Sequence, residues 1–293
     1  MENSVHPLFR PPAEGGSLIV RVAEGCPHNQ CAFCGMYKDV RYHVPDAEEI
    51  RRRIREEVRL WPDATRVFLA DGDVMALGAQ RLRDILLDLT ALLPRLMRVS
   101  VYANGRSILA CSEQELRELR ACKLHTLYMG LESGDPKTLE RMRKPDSVSD
   151  MVQAGKRAQA CGLRMSVMVL LGLAGSERSA EHAHATADAL NRMQPRLLAA
   201  LRVIPTPNTE LAREMVAGRF QMLSEHATVC ELRSLVASLE LKHCVFRANH
   251  TSNVVPIEAR FPRDKSSLLD RLDELSASGR LDRDSPGPLP RFL

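Results

Sequence analysis

Gly25-Cys26-Pro27-His28-Asn29-Gln30-Cys31-Ala32-Phe33-Cys34-Gly35 follows directly on Ser17–Ala23, a short apolar run rich in Leu, Val and Ile. Such a run reads as a strand buried on both faces, and a loop at its end lies where parallel-sheet enzymes place their chemistry. Working outward, Arg66–Ala70, Arg98–Ala103, His125–Leu131, Arg164–Leu171 and Leu197–Ile204 are five further strand candidates. Between them Asp46–Leu60, Gln80–Leu92, Ser112–Ala121, Val148–Cys161 and Glu177–Met193 carry apolar residues at helical spacing. Asp46 and Ser112 each stand three residues before a Glu, the pattern of a capped helix start. Six β-then-α units in sequence predict an α/β fold with a parallel sheet. Periodicity leaves an open sheet and a curved, barrel-like one equally available.

After about residue 205 the pattern changes. Helices are expected near Thr209–Ala217, Ser224–Lys242 and Lys265–Ser276, with an unusual polar segment, Cys244 to Asn253, between the last two. Pro286, Pro288 and Pro290 predict a frayed end over 284–293. There is no repeat and no low-complexity linker, so 1–293 reads as a single domain. Its core spans 17–209, and 210–293 is an extension covering that core.

Hydrophobic residues make up 44% of the 293 and charged residues 27%, enough for a substantial buried core. The net charge of +4 is spread along the chain, so a nucleic-acid partner is not expected. Arg51-Arg52-Arg53-Ile54-Arg55 runs straight into Glu56 and Glu57 and reads as a solvated helix face. No stretch reaches the roughly 20 apolar residues of a spanning helix. The first residues lack the apolar core of a signal peptide, so a cytoplasmic protein without a membrane partner is expected. In a reducing compartment, cysteines clustered as tightly as Cys26, Cys31 and Cys34 point to metal binding rather than disulfides.

Cys31 and Cys34 form one C-x2-C pair, Cys26 is a third ligand, and His28 is available as the fourth ligand of a zinc site. A second such pair does not occur; Cys111, Cys122, Cys161, Cys230 and Cys244 are isolated. Three thiolates without a fourth suit a 4Fe–4S cluster with one iron open to another ligand. A non-catalytic zinc- or iron-binding module is the alternative.

The loop resembles the cluster loop of the radical SAM superfamily, usually C-x3-C-x2-C with an aromatic, here Phe33, before the last cysteine. Cys26 and Cys31 are separated by four residues rather than three. The chain is most similar to stand-alone proteins grouped with the elongator, methylthiotransferase and cofactor-maturation catalytic domains. This resemblance implies a partial (β/α)6 TIM-like barrel with a mostly helical C-terminal extension. It implies a 4Fe–4S cluster on Cys26, Cys31 and Cys34 that cleaves S-adenosylmethionine (SAM) reductively to a 5′-deoxyadenosyl radical, which takes hydrogen from a substrate. The electron would come from a flavodoxin- or ferredoxin-type donor of low potential.

The resemblance also implies roles for single residues. Gly72 and Asp73, in Ala70-Asp71-Gly72-Asp73, would meet the SAM amino group. Asn104 would meet its carboxylate or ribose. Glu132, in Gly130-Leu131-Glu132-Ser133-Gly134, would meet the ribose, and Gly172 and the backbone near Met36 the adenine. His28, Asn29 and Gln30 are expected to contact the cluster, and Pro205–Thr209 matches a proline-rich turn of many relatives. A small-molecule substrate is expected, with RNA or peptide modification as the alternative. Arg247 is expected to clamp a carboxylate or phosphate of that substrate, with Asn249, His250 and Asn253 orienting it.

Overall fold

The computed structural model describes residues 7–283; the expected frayed end at 284–293 lies outside them. The described chain divides into two compact units.

The first unit comprises Met1–Asn29, Tyr37–Met129 and Arg157–Met165. It contains β1 (Leu18–Arg21), β2 (Arg66–Ala70), β3 (Arg98–Tyr102) and the start of β4 (Leu124–Glu132), parallel neighbours in that order. All four lie where short apolar runs predict strands. Their crossovers are α1 (Ala47–Leu60), α2 (Ala79–Leu92), and a pair, α3 (Gly105–Leu109) and α4 (Glu113–Ala121). Asp46 caps α1 by accepting from Glu49 N at 2.8 Å, and Ser112 and Glu115 form a capping box on α4. Ile50, Ile54 and Val58 bury one stripe of α1, while Arg51, Arg52 and Arg55 stay exposed and pair with Glu48, Glu49, Glu56 and Asp88. The basic run is a solvated face, as read. One face of the sheet carries an edge-on aromatic cluster, with the Phe68 and Tyr102 rings 5.0 Å apart and Tyr102 and Tyr128 6.3 Å apart.

The second unit comprises Gln30–Met36, Gly130–Lys156 and Ser166–Leu293. It holds the end of β4 and then most of β5 (Arg164–Leu171), with β6 (Leu197–Arg202), β7 (Cys244–Ala248) and β8 (Ile257–Phe261). Strands β5, β6 and β7 run parallel, and β8 returns antiparallel to β7. Its helices are α5 (Pro136–Arg141), most of α6 (Val148–Ala160), α7 (Ser179–Met193), α8 (Glu210–Val216), α9 (Glu225–Ser238) and α10 (Lys265–Ala277). Helix α9 packs against α7 and α10. The extension therefore carries three expected helices and also two strands where a polar segment was expected. Both strands alternate buried and outward residues, Cys244-Val-Phe-Arg-Ala and Ile257-Glu-Ala-Arg-Phe. Each is only five residues long, and the polar turn between them masks the period. Along β8, Glu258 and Arg260 are exposed, and Asp264 takes both backbone groups of Arg260, its carboxylate accepting the N–H at 2.8 Å and its own N–H donating to the carbonyl at 2.9 Å.

Among the described residues no helix is long and apolar enough to cross a membrane.

Candidate active site

In the first unit, the ends of β1, β2 and β3 are tied together around Cys26. Gly25 N donates to Asp71 Oδ2 at 3.2 Å, and Gly72 N donates to Gly25 O at 3.1 Å. Arg21 Nε stands 3.5 Å from Asp71 Oδ2. Asp73 is 4% exposed and accepts from Asn104 N at 3.3 Å, from Asn104 Nδ2 at 3.2 Å, and from Ser107 Oγ. Two residues expected to meet SAM, Asp73 and Asn104, thus hold each other. Tyr42 joins this group; burial first, then the charges of Asp73 and Cys26, push its phenol pKa up. Asn29 donates through Nδ2 to the carbonyls of Tyr37 and Val40, so it braces residues 37–40.

In the second unit, Ala32 N donates to Met142 O and Ala32 O accepts from Leu211 N, both at 2.9 Å. This staples the segment carrying Cys31 and Cys34 between α5 and α8. Phe33 packs against a buried cluster that includes Ala32, Met142, Leu173 and Val203. Met36 is exposed. Gly35 O accepts from Asn208 Nδ2 at 3.1 Å, and a Cβ on Gly35 would collide with Thr206 Oγ1. The proline-rich turn thus closes over the end of the cysteine loop.

Glu132 ends β4 with φ +62°, a left-handed backbone that costs a non-glycine residue roughly 1 kcal/mol. Its carboxylate folds back over Gly130 and lies 3.7 Å from Lys144 Nζ, with both side chains almost buried. Burial raises the Glu132 pKa and Lys144 opposes that rise. Gly172, at the end of β5, has φ +78° and donates its N–H to Glu231 Oε1 at 2.7 Å.

The eight cysteines are all free thiols, and they fall into different environments. Cys26, Cys31 and Cys34 are half-buried. Cys111, Cys161 and Cys244 are buried, with Sγ 3.7 Å from Ser107 O, 3.6 Å from Glu113 O and 3.4 Å from Val245 O. Burial pushes the Cys111 thiol up to about 11 and Cys244 up to about 12, so these sulfurs resist becoming thiolate ligands. The donor set of Cys26, Cys31 and Cys34 therefore fits an iron–sulfur cluster, and the buried cysteines do not. Among the described residues no three His, Cys, Asp or Glu side chains converge on a single-ion site. A 4Fe–4S cluster asks that its thiolates surround one cube, each on its own iron, rather than meet at a single ion.

The expected substrate residues surround the end of β7. Register places Arg247 beside Ala199 of β6, which lies beside Met168 of β5. These residues share the half-exposed face of the sheet, while Phe246 and Ala248 are buried on the other. Glu258 binds both Arg247, at 3.6 Å from Nε, and Asn249, whose Nδ2 donates at 2.7 Å. His250 Nδ1 is 2.9 Å from Ser252 Oγ, and burial lowers the His250 pKa. Asn253 Nδ2 donates to Ala200 O at 2.9 Å, and its buried Oδ1 has no partner.

Sequence reading assigned no role to Tyr42, Ser107, Lys144 or Glu231. Lys144 sits among Arg141, Arg143 and Lys137, where no spacing marks it out. Glu231 is one acid of an amphipathic helix and becomes distinctive only once its burial is known.

The sequence model of the radical SAM superfamily matches residues 20–184, more than half of the chain. The chain belongs to this superfamily. It is an enzyme of the radical SAM class, which works with a 4Fe–4S cluster and SAM and needs a reductant and a substrate. An uncharacterized protein of Methanocaldococcus jannaschii is 23% identical over 231 residues, 73% of this chain and 70% of that protein. Among solved structures, methylornithine synthase aligns over 89% of this chain and 83% of its own, with TM-score 0.53 and 16% identity. Coproporphyrinogen III oxidase of Escherichia coli, a radical SAM enzyme, aligns over 75% and 51%, with TM-score 0.57 and 15% identity. A radical SAM methyltransferase of Kitasatospora setae, with cobalamin and a 4Fe–4S cluster bound, aligns over 69% and 39%, with TM-score 0.57 and 18% identity. At these identities the likeness concerns the fold, which is the expected partial β/α barrel.

Proposed function

We propose that the chain acts as one catalytic domain in which Cys26, Cys31 and Cys34 hold the cluster. Its substrate is a small molecule carrying a carboxylate or phosphate, and its reductant is a flavodoxin- or ferredoxin-type protein. When bound, the cluster and SAM supply one-electron cleavage of a sulfonium C–S bond and, through it, hydrogen abstraction; the chain's own residues bind, orient and shield. Asp73 and Asn104 shape the end of β2 and β3 for the methionyl end of SAM. Glu132, brought to the end of β4 by its left-handed backbone, accepts from the ribose hydroxyls. Gly172 lets backbone approach the adenine.

The observation that carries the substrate class is the placement of Arg247. It stands on the half-exposed face of β7, its ion-pair partner among the described residues is the 58% exposed Glu258, and the turn at 249–253 follows at the carboxyl end of the same strand. Barrel enzymes gather substrate groups at that end. The test measures 5′-deoxyadenosine formed by reduced holoenzyme with SAM, with and without cell-extract fractions. The low-molecular-weight fraction should stimulate the wild type and leave Arg247→Ala at the slow uncoupled rate. Stimulation confined to RNA or protein fractions would overturn the small-molecule reading.

A further inference from the structure

We infer that Glu231, on α9, is a positioning residue for the SAM site: it fixes the backbone of Gly172 and ties that strand end to the start of α7. The inference rests on the assignment of Gly172 to the adenine side of SAM. Glu231 lies in the C-terminal extension, beyond the residues 20–184 that define the family match.

Glu231 is 3% exposed and uses both oxygens. Oε1 accepts the Gly172 N–H at 2.7 Å, and Oε2 accepts from Ser179 Oγ at the start of α7. Among the described residues neither Lys nor Arg pairs with it. His182 Nε2 is 3.7 Å from Oε1, which is too long for a hydrogen bond. The His182 ring is already committed, with Nδ1 2.8 Å from Ser133 Oγ and Nε2 3.2 Å from Leu170 O. Leu170 O can only accept, so Nε2 carries the ring hydrogen, and burial disfavours a second one. This leaves Nδ1 to accept from the Ser133 hydroxyl, while Ser133 Oγ itself accepts from Asp135 N at 2.9 Å. That is a neutral imidazole, in keeping with a burial-lowered pKa of about 4. The 3.7 Å pair is therefore not an ion pair.

A buried carboxylate without a cation is costly, and an apolar side chain on α9 would fill the same space at lower cost. What the carboxylate does there is hold one backbone N–H, that of a left-handed glycine at a strand end. A second set of hydrogen bonds, from Leu170 O two residues before Gly172 through His182 to Ser133, reaches the residue after Glu132. Both sets anchor the end of β5 to the start of α7, where Ser179 and His182 lie, so the Gly172 backbone is held from two sides and ligand affinity follows its position.

The test uses anaerobically loaded holoenzyme and measures iron per chain, SAM dissociation by equilibrium dialysis, and KM and kcat for uncoupled SAM cleavage. Glu231→Ala should weaken SAM binding by about tenfold or more and raise KM to match, with iron content and kcat unchanged. Glu231→Gln should restore affinity to within about threefold, because its amide oxygen still accepts the Gly172 N–H. Wild-type affinity in Glu231→Ala, or no rescue by Gln, overturns the inference. If Glu231→Ala does not fold, Ser179→Ala decides, because it frees one carboxylate oxygen and should raise the SAM dissociation constant by about two- to fivefold. An unchanged constant overturns the inference. Gly172→Ala separates the two levels. If it weakens SAM binding while Glu231→Ala does not, only the positioning role fails. If neither changes affinity, the adenine-side assignment of Gly172 fails as well.

Discussion

Gly72 and Cys26 touch through their backbones: a Cβ on Gly72 would stand 2.9 Å from both Cα and Cβ of Cys26 and 2.8 Å from Gly25 O. The end of β2 is built against the first cysteine, with no room for a side chain between them. Gly72→Ala must push the Cys26 turn aside, at a cost of about 1–3 kcal/mol. The reconstituted variant should hold less iron per chain than wild type while its far-ultraviolet circular dichroism is unchanged. Full iron occupancy would show that the contact does not position the cysteine.

The two classes of cysteine should behave oppositely. Replacing Cys26, Cys31 and Cys34 together by Ala should abolish the brown chromophore and bound iron. Replacing Cys111, Cys161 and Cys244 should keep the cluster and lower the melting temperature, since each leaves a small void worth about 1 kcal/mol. Iron and sulfide analysis on both triple variants checks this, and a full cluster in the first would refute the ligand assignment.

Asp73→Ala leaves two donors of Asn104 and the Ser107 hydroxyl without their acceptor. Orphaning the buried Ser107 hydroxyl costs about 1–3 kcal/mol, and the half-buried Asn104 donors add less because water can reach them. The melting temperature should fall, and the SAM concentration needed for half-maximal uncoupled cleavage should rise. Asn104→Ala should reproduce part of the second effect. An unchanged SAM requirement in both variants would return the pair to a purely structural role.

Glu231 and His182 predict a pH signature. Burial pushes Glu231 up to about 7, against an ordinary carboxylate near about 4.3, so between these values the folded state binds more protons. Its contribution to stability therefore falls as pH rises from about 4.5 to about 7. His182, held down at about 4 against an ordinary value of about 6.5, has the opposite sign, and its contribution rises with pH between those values. In wild type the two slopes oppose each other. In Glu231→Gln only the His182 slope remains, so its stability relative to wild type should climb to about pH 7 and then level, by on the order of 3 kcal/mol. Denaturant melts of both proteins at several pH values measure the difference, and a flat or falling difference refutes the assignment.

Much of the architecture can be read from residues alone. Arg66–Ala70 and Arg164–Leu171 are strands over the expected bounds, because short, mostly apolar runs of this length between longer helical patterns favour buried strands. Asp46 and Ser112 cap as their spacing indicates. What stayed hidden has a common cause. Strands β7 and β8 are short and flanked by polar turns, and α3 and α5 span only five and six residues. The site followed the same rule. Cys26, Cys31 and Cys34 are visible as a cluster in one dimension, whereas Lys144 and Glu231 acquire meaning only from neighbours distant in sequence. The sequence also could not show that Asn29 Nδ2 holds the carbonyls of Tyr37 and Val40, two backbone acceptors within its own loop.

The final strand bears on how the molecule behaves in a crowded solution. A strand at the end of a sheet offers unpaired backbone groups on which a second chain can nucleate. In β8 the outward side chains are Glu258 and Arg260, and the N–H and carbonyl of Arg260 are both occupied by Asp264. An incoming strand would have to displace Asp264 before it could pair with Arg260, beside two exposed charged side chains of opposite sign. The antiparallel return that closes the second unit thus also blunts its edge against fibrous self-association.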